Sequence, residues 1–198
     1  MQTHTITFGT TIKIINLNNK NLNKKLINFC KKIKKQPGRQ VSNIGGFQSN
    51  FIDEKQPLIN DFFEETKKHI VDYVEAYDLD EVCVPKLSGL WFNINGKKDF
   101  NKPHIHLGGE TNASFSAAYY LKVPKNSGKI NFINPDPFFP MNPFFSKKFK
   151  FGNSFNSLEY WVNPKEMDLI IFPSSLFHYV DQNLSDEERI SLSFNIKI

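Results

Sequence analysis

"RISLSFNIKI" (Arg189–Ile198) alternates polar and apolar residues over most of its length. Successive side chains of a β-strand point to opposite faces, so this pattern reads as a strand with Arg189 and Ser191 on one face. It is the last of nine short apolar or alternating runs. The others are "VCVP" (82–85), "LSGLWFNIN" (87–95), "PHIHL" (103–107), "SFSAAYYLKVP" (114–124), "KINFINP" (129–135), "LEYWVNP" (158–164), "DLIIFPS" (168–174) and "FHYV" (177–180). Turn signals such as "NG", "NSG" and "NLSDEE" separate them. Many short strands in succession predict an antiparallel sandwich or barrel.

The first 80 residues have a different texture. "TITFGTTIKIINL" (5–17) alternates and is rich in Ile and Thr, so it reads as a strand. "NLNKKLINFCKKIKK" (21–35) sets Leu22, Leu26, Phe29, Cys30 and Ile33 on one helical stripe, with lysines opposite. "SNIGGFQSN" (42–50) reads as a turn-rich segment. "PLINDFFEETKKHIVDYVEAY" (57–77) predicts a second amphipathic helix. Pro57 stands at its start, and Ile59, Phe62, Phe63, Ile70, Val74 and Tyr77 form its stripe. The expected fold is mainly β with flanking helices (α+β). It is a jelly-roll, or double-stranded β-helix, core with the N-terminal helices packed on one sheet. One domain is expected over 1–198, with a strand and two helices in 1–80 and the core in 81–198.

Composition narrows the function. The 198 residues carry a net charge of +5, and residues 1–52 hold nine Lys or Arg and no acid. Such a face can meet nucleic acid, but no aromatic-interleaved basic motif accompanies it. A solvated lysine-rich helix face is the favoured reading. No apolar run approaches the roughly 18 residues of a membrane span, and "MQTHTITFGTT" (1–11) lacks the apolar core of a signal peptide. A cytoplasmic protein is expected. Cys30 and Cys83 fit core thiols rather than a disulfide framework. "DPFFPMNPFFSKKFKFGNSFNS" (136–157) is long, irregular and rich in Phe, which suits a lid over one barrel mouth or a plug in it.

Five histidines are present. His4 lies near the N-terminus, and His69, within the second helix, reads as structural. In "NKPHIHLGGE" (101–110), His104 and His106 are two apart and would share a strand face. His178 follows the buried-looking "DLIIFPSSLF" (168–177). In a jelly roll, strands distant in sequence meet at one mouth, and a histidine pair plus a third suits Fe, Mn, Ni or Zn. Only two arginines stand among 23 lysines, Arg39 and Arg189. With Ser191 on its face, an inward Arg189 makes a receptor for a carboxylate. The alternative for Arg189 is a surface pair with Glu187 or Glu188. A divalent metal beside a carboxylate clamp points to a chelating acid as cosubstrate.

On these residues the chain resembles the 2-oxoglutarate- and Fe(II)-dependent oxygenases, especially a small branch of bacteria and phages. The matching stretches are "SNIGGFQSN", "LWFNIN", "NKPHIH", "SFSAAYYLKVPKNSGKINFINP", "DLIIFPSSLFHYV" and "ERISLSFN", in order over roughly 41–198. The resemblance implies iron ligands His104, His106 and His178, with Arg189 and Ser191 binding the far carboxylate of 2-oxoglutarate. Asn93 and Tyr120 match further cosubstrate-binding positions. It implies a hydroxylase that converts 2-oxoglutarate, O2 and a small-molecule or protein substrate, in the cytoplasm of a bacterium or phage-infected host. The family usually has an acid where this chain has His106, so Glu110 stands as an alternative ligand. It often has Gly where this chain has Met167. Two other readings compete. A cupin-type metal enzyme would use His104, His106, Glu110 and His178, but has no need of the Arg189–Ser191 pair. A non-catalytic jelly-roll module would bind a carbohydrate or protein and no iron.

Overall fold

The computed structural model describes residues 9–78, 84–107, 112–136 and 157–198. Of the sequence features above, His4, Cys83, Glu110 and nearly all of the Phe-rich segment lie outside the described residues. Among the described residues, no helix is long and apolar enough to cross a membrane.

The chain begins with β1 (Lys13–Asn16) and α1 (Lys20–Ile33). Asn19 caps α1 by accepting the Leu22 N–H at 3.0 Å. The predicted stripe is the one that packs. Leu22, Leu26 and Cys30 are buried, and Phe29 and Ile33 lean on the same core. Burial pushes the Cys30 thiol up to about 12, so it stays protonated. After β2 (Asn43–Ile44) and β3 (Phe47–Gln48), which belong to different sheets, comes α2 (Pro57–Glu75), with Pro57 in its first turn. Ile59, Phe62, Phe63, Ile70 and Val74 are buried as expected. Tyr77 is not: the helix stops at Glu75, and Tyr77 is 42% exposed. Tyr73 takes the buried place, its hydroxyl donating to the Thr11 carbonyl at 2.8 Å.

The remaining strands are β4 (Lys86–Asn95), β5 (Phe100–His104), β6 (Phe115–Lys122), β7 (Ile130–Ile133), β8 (Glu159–Val162), β9 (Asp168–Pro173), β10 (His178–Val180) and β11 (Arg189–Lys197). They form two antiparallel sheets, ordered β1-β9-β6-β11-β4-β3 and β2-β5-β10-β7-β8. From β4 to β7 and again from β8 to β11 the chain steps from one sheet to the other at each strand. That is the double-stranded β-helix. Of the "VCVP" run, the described Val84 and Pro85 are not in a strand, and β4 begins at Lys86. Conversely, "SNIGGFQSN" is more than a turn. Its two-residue strands pair with β5 in one sheet and β4 in the other. They are too short to show a period. Gly45 and Gly46 turn between them at φ +65° and +62°, and a Cβ on Gly46 would sit 2.5 Å from the Ile94 carbonyl.

The six-stranded sheet has two unlike faces. Ile190, Leu192, Phe194 and Ile196 of β11 join Leu90, Phe92 and Ile94 of β4 in the core beneath both helices. A second, smaller core of Ala118, Tyr120, Ile130, Phe132, Ile170 and Phe172 lies between the sheets. Part of the basic N-terminal charge is matched within the fold, as Lys34 pairs with Glu188 and Lys13 with Asp72 at 3.6 Å. Met167, at the family's frequent Gly position, has φ +68°, the left-handed conformation that Gly adopts without cost.

Phe62 ties α2 to the sheet. It is fully buried, with ring centroids 5.1 Å from Tyr119 and 5.6 Å from Phe194. Phe62→Ala removes that ring from a packed core and is expected to cost about 3–5 kcal/mol. Urea unfolding monitored by circular dichroism measures it, and a loss below about 1 kcal/mol contradicts this packing.

Candidate metal and anion site

Three histidines converge at one mouth of the barrel. His104 is the last residue of β5 and lies opposite His178, the first residue of β10. Their ring centroids are 4.3 Å apart. His106 does not share the strand, contrary to the sequence expectation. The strand ends at His104, and the His106 N–H donates to the Ser174 carbonyl at 2.9 Å instead. The chain has left its own sheet there and reached the end of β9. The spacing still brings the rings together, with His106 centroids 5.1 Å from His104 and 4.9 Å from His178. One candidate ligand atom from each histidine lies within 4.8 Å of the others. Among the described residues, this cluster contains no carboxylate.

The hydrogen bonds select which nitrogen is free. His104 Nδ1 lies 2.7 Å from the Lys102 carbonyl and His178 Nδ1 2.8 Å from the Leu176 carbonyl. A carbonyl only accepts, so both Nδ1 atoms carry the proton and each lone pair sits on Nε2. His106 Nδ1 is 2.9 Å from Asn195 Oδ1 and 2.9 Å from Ser116 Oγ. Ser116 Oγ also donates to Asn195 Oδ1 and lies 2.7 Å from Ser174 Oγ. Holding the outer nitrogen in this way is how proteins orient metal-ligating histidines. Burial lowers the proton affinity of all three. His106 falls to about 4, with His104 adding to the effect. His104 falls chiefly through burial, and His178, 3% exposed, falls well below the usual value through burial and then its two neighbours. At neutral pH the cluster is three uncharged donors. Trp91 packs on His106 at 5.4 Å and Phe172 on His178 at 4.7 Å, walling the cluster with apolar rings.

The same cavity contains Arg189, Ser191, Asn93 and Tyr120. Register explains why. Ser191 on β11 lies between Asn93 on β4 and Tyr120 on β6, and Arg189 opposes Asn95 one row further on. Arg189 is 1% exposed, so the surface-pair alternative fails. Glu187 pairs with Lys122 and Glu188 with Lys34. The Arg189 Nη1 donates to the carbonyls of Ser127 and Asp181, while Nη2 is buried with no hydrogen-bond partner. Gly128 makes this possible at φ +91°, since a Cβ there would lie 2.9 Å from Nη1. Burial, only partly offset by the charges of Tyr120, Asp181 and Asp99, lowers the Arg189 pKa from its ordinary value. Burial also raises the Tyr120 hydroxyl to about 12, leaving it a neutral O–H.

Sequence reasoning missed Ser116, Asn195, Ser127 and Gly128. For Asn195 a signal existed, because period two from Arg189 runs through Ser191 and Ser193 to Asn195. The partners of Ser116 and Gly128 are long-range and left no local trace.

A family profile described as "Putative 2OG-Fe(II) oxygenase" matches residues 89–195. No curated protein sequence matches the chain. Among solved structures it is similar to a Pseudomonas putida prolyl-4-hydroxylase, with 15% identity and a TM-score of 0.66 over 95% of this chain and 92% of that one. It is similar to a viral collagen prolyl hydroxylase of Paramecium bursaria Chlorella virus-1, with 14% identity and a TM-score of 0.59 over 93% and 94%. A third, HygX from Streptomyces hygroscopicus with nickel and 2-oxoglutarate bound, has 10% identity and a TM-score of 0.61 over 95% and 83%. At these identities the likeness shows the fold.

The buried imidazoles make the metal-free protein acid-sensitive. Unfolded, each would bind a proton near 6.5; folded, His106 binds one only near 4. Below 6.5 the unfolded chain therefore holds more protons, and stability falls as pH drops toward 4. The urea midpoint of metal-free protein should decline through that window, and less steeply in His106→Asn. Equal slopes would refute this account.

Proposed function

The chain belongs to the 2-oxoglutarate/Fe(II)-dependent oxygenase family, and we propose that it is a hydroxylase whose iron is held by His104, His106 and His178. The observation that carries this reading is one cavity with a convergent triad of neutral imidazoles and a buried guanidinium whose Nη2 has no partner. Among the described residues, no acid side chain forms an ion pair with this guanidinium. A desolvated charge of this kind is costly until an anion meets it.

The donor set fits the metal. Three Nε2 lone pairs would hold the metal and would leave it room for exogenous ligands, as in non-haem Fe(II) oxygenases, with His106 in the place of the usual acid. Iron bound there supplies the oxidising chemistry: 2-oxoglutarate and O2 become succinate and CO2, and one oxygen atom enters a substrate C–H bond. The family's chemistry thus supplies the oxidant, and the protein's task is binding and orientation. Arg189 offers Nη2 to the far carboxylate, held in place by the Ser127 and Asp181 carbonyls. Ser191 and the neutral Tyr120 hydroxyl sit beside it as further donors. Asn93 joins the row: its Nδ2 lies 3.1 Å from Ser193 Oγ, and its Oδ1 is buried without a partner. Turned over, the same amide accepts from the Ser193 hydroxyl and presents Nδ2 to the carboxylate. Trp91 and Phe172 set apolar rings against His106 and His178.

A triad of imidazoles leaves the centre one negative charge short of the usual set, which strengthens its attraction for an anionic cosubstrate. The cupin alternative used Glu110, which lies outside the described residues, and it gives the buried Arg189 no work. Hydroxylation is the outcome favoured for the oxygen atom. The substrate is a small molecule or a protein side chain, and a cytoplasmic setting in a bacterium or phage-infected host suits the chemistry.

Anaerobic Fe(II)-protein titrated with 2-oxoglutarate should develop a visible metal-to-ligand charge-transfer band. Arg189→Ala should weaken 2-oxoglutarate by about 30-fold or more, the usual penalty for removing one side of a buried, hydrogen-bonded charge pair. Gly128→Ala should weaken it too, by pushing on Nη1. His106→Ala should lose iron while Glu110→Ala keeps it. No band in the wild-type protein would sink the oxygenase reading, and the reverse pattern for the last two variants would sink the triad.

A further inference from the structure

Both arginines of this chain stand at the site. Arg189 lies inside it, and Arg39 lines an open cleft that His104, His106, Trp91 and Asn195 also line. Arg39 is more firmly held than a surface cation. Its N–H donates to the Gln48 carbonyl at 2.8 Å and its Nε to the Ser49 carbonyl at 3.1 Å. Its guanidinium stacks over Phe51 at 4.1 Å and lies 5.7 Å from the Trp91 ring, which itself packs on His106. Gly38 packs the preceding turn so tightly that a Cβ would sit 2.7 Å from the Gln48 carbonyl. Yet among the described residues Arg39 makes no ion pair, and its terminal nitrogens make no hydrogen bond. A planar, pre-stacked guanidinium with both outer nitrogens free is built for bidentate binding of a carboxylate.

A second observation lies beside it. Gln48 is 3% exposed and lines the same cleft, and its Oε1 is buried without a partner. A buried acceptor without a donor is costly, and a turn of the side chain that brings this oxygen to the cleft surface would let it accept from an N–H or O–H of whatever fills the cleft. An acid-binding fork next to an unpaired acceptor matches an α-carboxylate with its own α-nitrogen. The exposed Val41, Phe51, Ile105 and Leu107 flank this spot and suit the apolar remainder.

We infer that the substrate is an amino acid bound through its α-carboxylate to Arg39 and through its α-nitrogen to Gln48, with its side chain directed along Trp91 toward the histidines. This deepens the oxygenase reading and rests on it. The same chemistry comes from a free amino acid or from the C-terminal residue of a peptide. It also accounts for the position of "SNIGGFQSN": the turn between β2 and β3 leads Gln48 into the wall of the cleft, where the Gln48 and Ser49 carbonyls pin Arg39.

The test uses anaerobic Fe(II)·2-oxoglutarate protein and a panel of the twenty standard L-amino acids and hexapeptides ending in each. Every member is supplied as free acid and as primary amide. Binding is read from perturbation of the charge-transfer band, and turnover from succinate formed on admitting O2. At least one free acid should bind and be oxidised, with its amide at least tenfold weaker. Activity with free amino acids identifies that source, and activity with peptides alone identifies the C-terminus. Arg39→Gln should raise KM for the acid at least tenfold with kcat changed far less. Gln48→Met should weaken the amino acid but not its des-amino analogue. A wild-type protein that gives no band overturns the oxygenase reading and this inference with it. A protein that gives the band but binds no panel member, or treats acid and amide alike, overturns this inference alone.

Discussion

The register of β11 against its two neighbours governs the molecule. The strand lies inside the six-stranded sheet, paired to β4 on one side and β6 on the other. Its even-numbered residues, Ile190, Leu192, Phe194 and Ile196, enter the core beneath the helices. Its odd-numbered residues, Arg189, Ser191, Ser193 and Asn195, face the space between the sheets. Arg189, Ser191 and Ser193 line the central cavity there, and Asn195 holds His106. A slip of one residue would exchange the two sets, burying a guanidinium among the helices and stranding four apolar side chains in a polar cavity. The hydrophobic face therefore enforces the functional face. Core packing holds Arg189 and Ser191 in place although neither contributes apolar area to it.

Arg189 shows what that enforcement costs. Its charge is buried, its Nη1 is satisfied by two carbonyls, and its Nη2 waits without a partner. The histidine cluster is the complementary case: three imidazoles too buried to hold protons near neutral pH, hence free to offer lone pairs. A neutral set of donors and a cation with spare hydrogens face one cavity. Together they suit a divalent metal chelated by a dianionic acid, with the two charges of each sharing the site.

Much of this was legible beforehand for a simple reason. Strands of eight to ten residues that are apolar or alternate, such as β4, β6 and β11, and helices with a stripe like that of α1, declare themselves locally. The histidines and Arg189 stood out by type and scarcity. Where reading failed, the cause was also local. Two-residue strands β2 and β3 are too short to have a period, and Tyr77 was placed on a stripe whose helix ends two residues earlier. His106 was assigned to a strand that stops at His104, because the bond that draws it away goes to Ser174, 68 residues later.

Sequence by itself determined the jelly-roll class, the two helices on one side of it, and the identity of the residues gathered at its mouth. Each follows from patterns within about ten residues or from rare side chains among common ones. Only the tertiary structure decided that His104 and His178 face each other on adjacent strands while His106 leaves the strand to be held by residues at the other sheet, and that each outer nitrogen is engaged. It alone revealed that Gly128 makes room for the Arg189 guanidinium and that Arg39 and Gln48 wall the cleft beside Trp91. These are facts about backbone carbonyls and neighbours brought close by strand pairing, and no residue type announces which distant carbonyl it will meet.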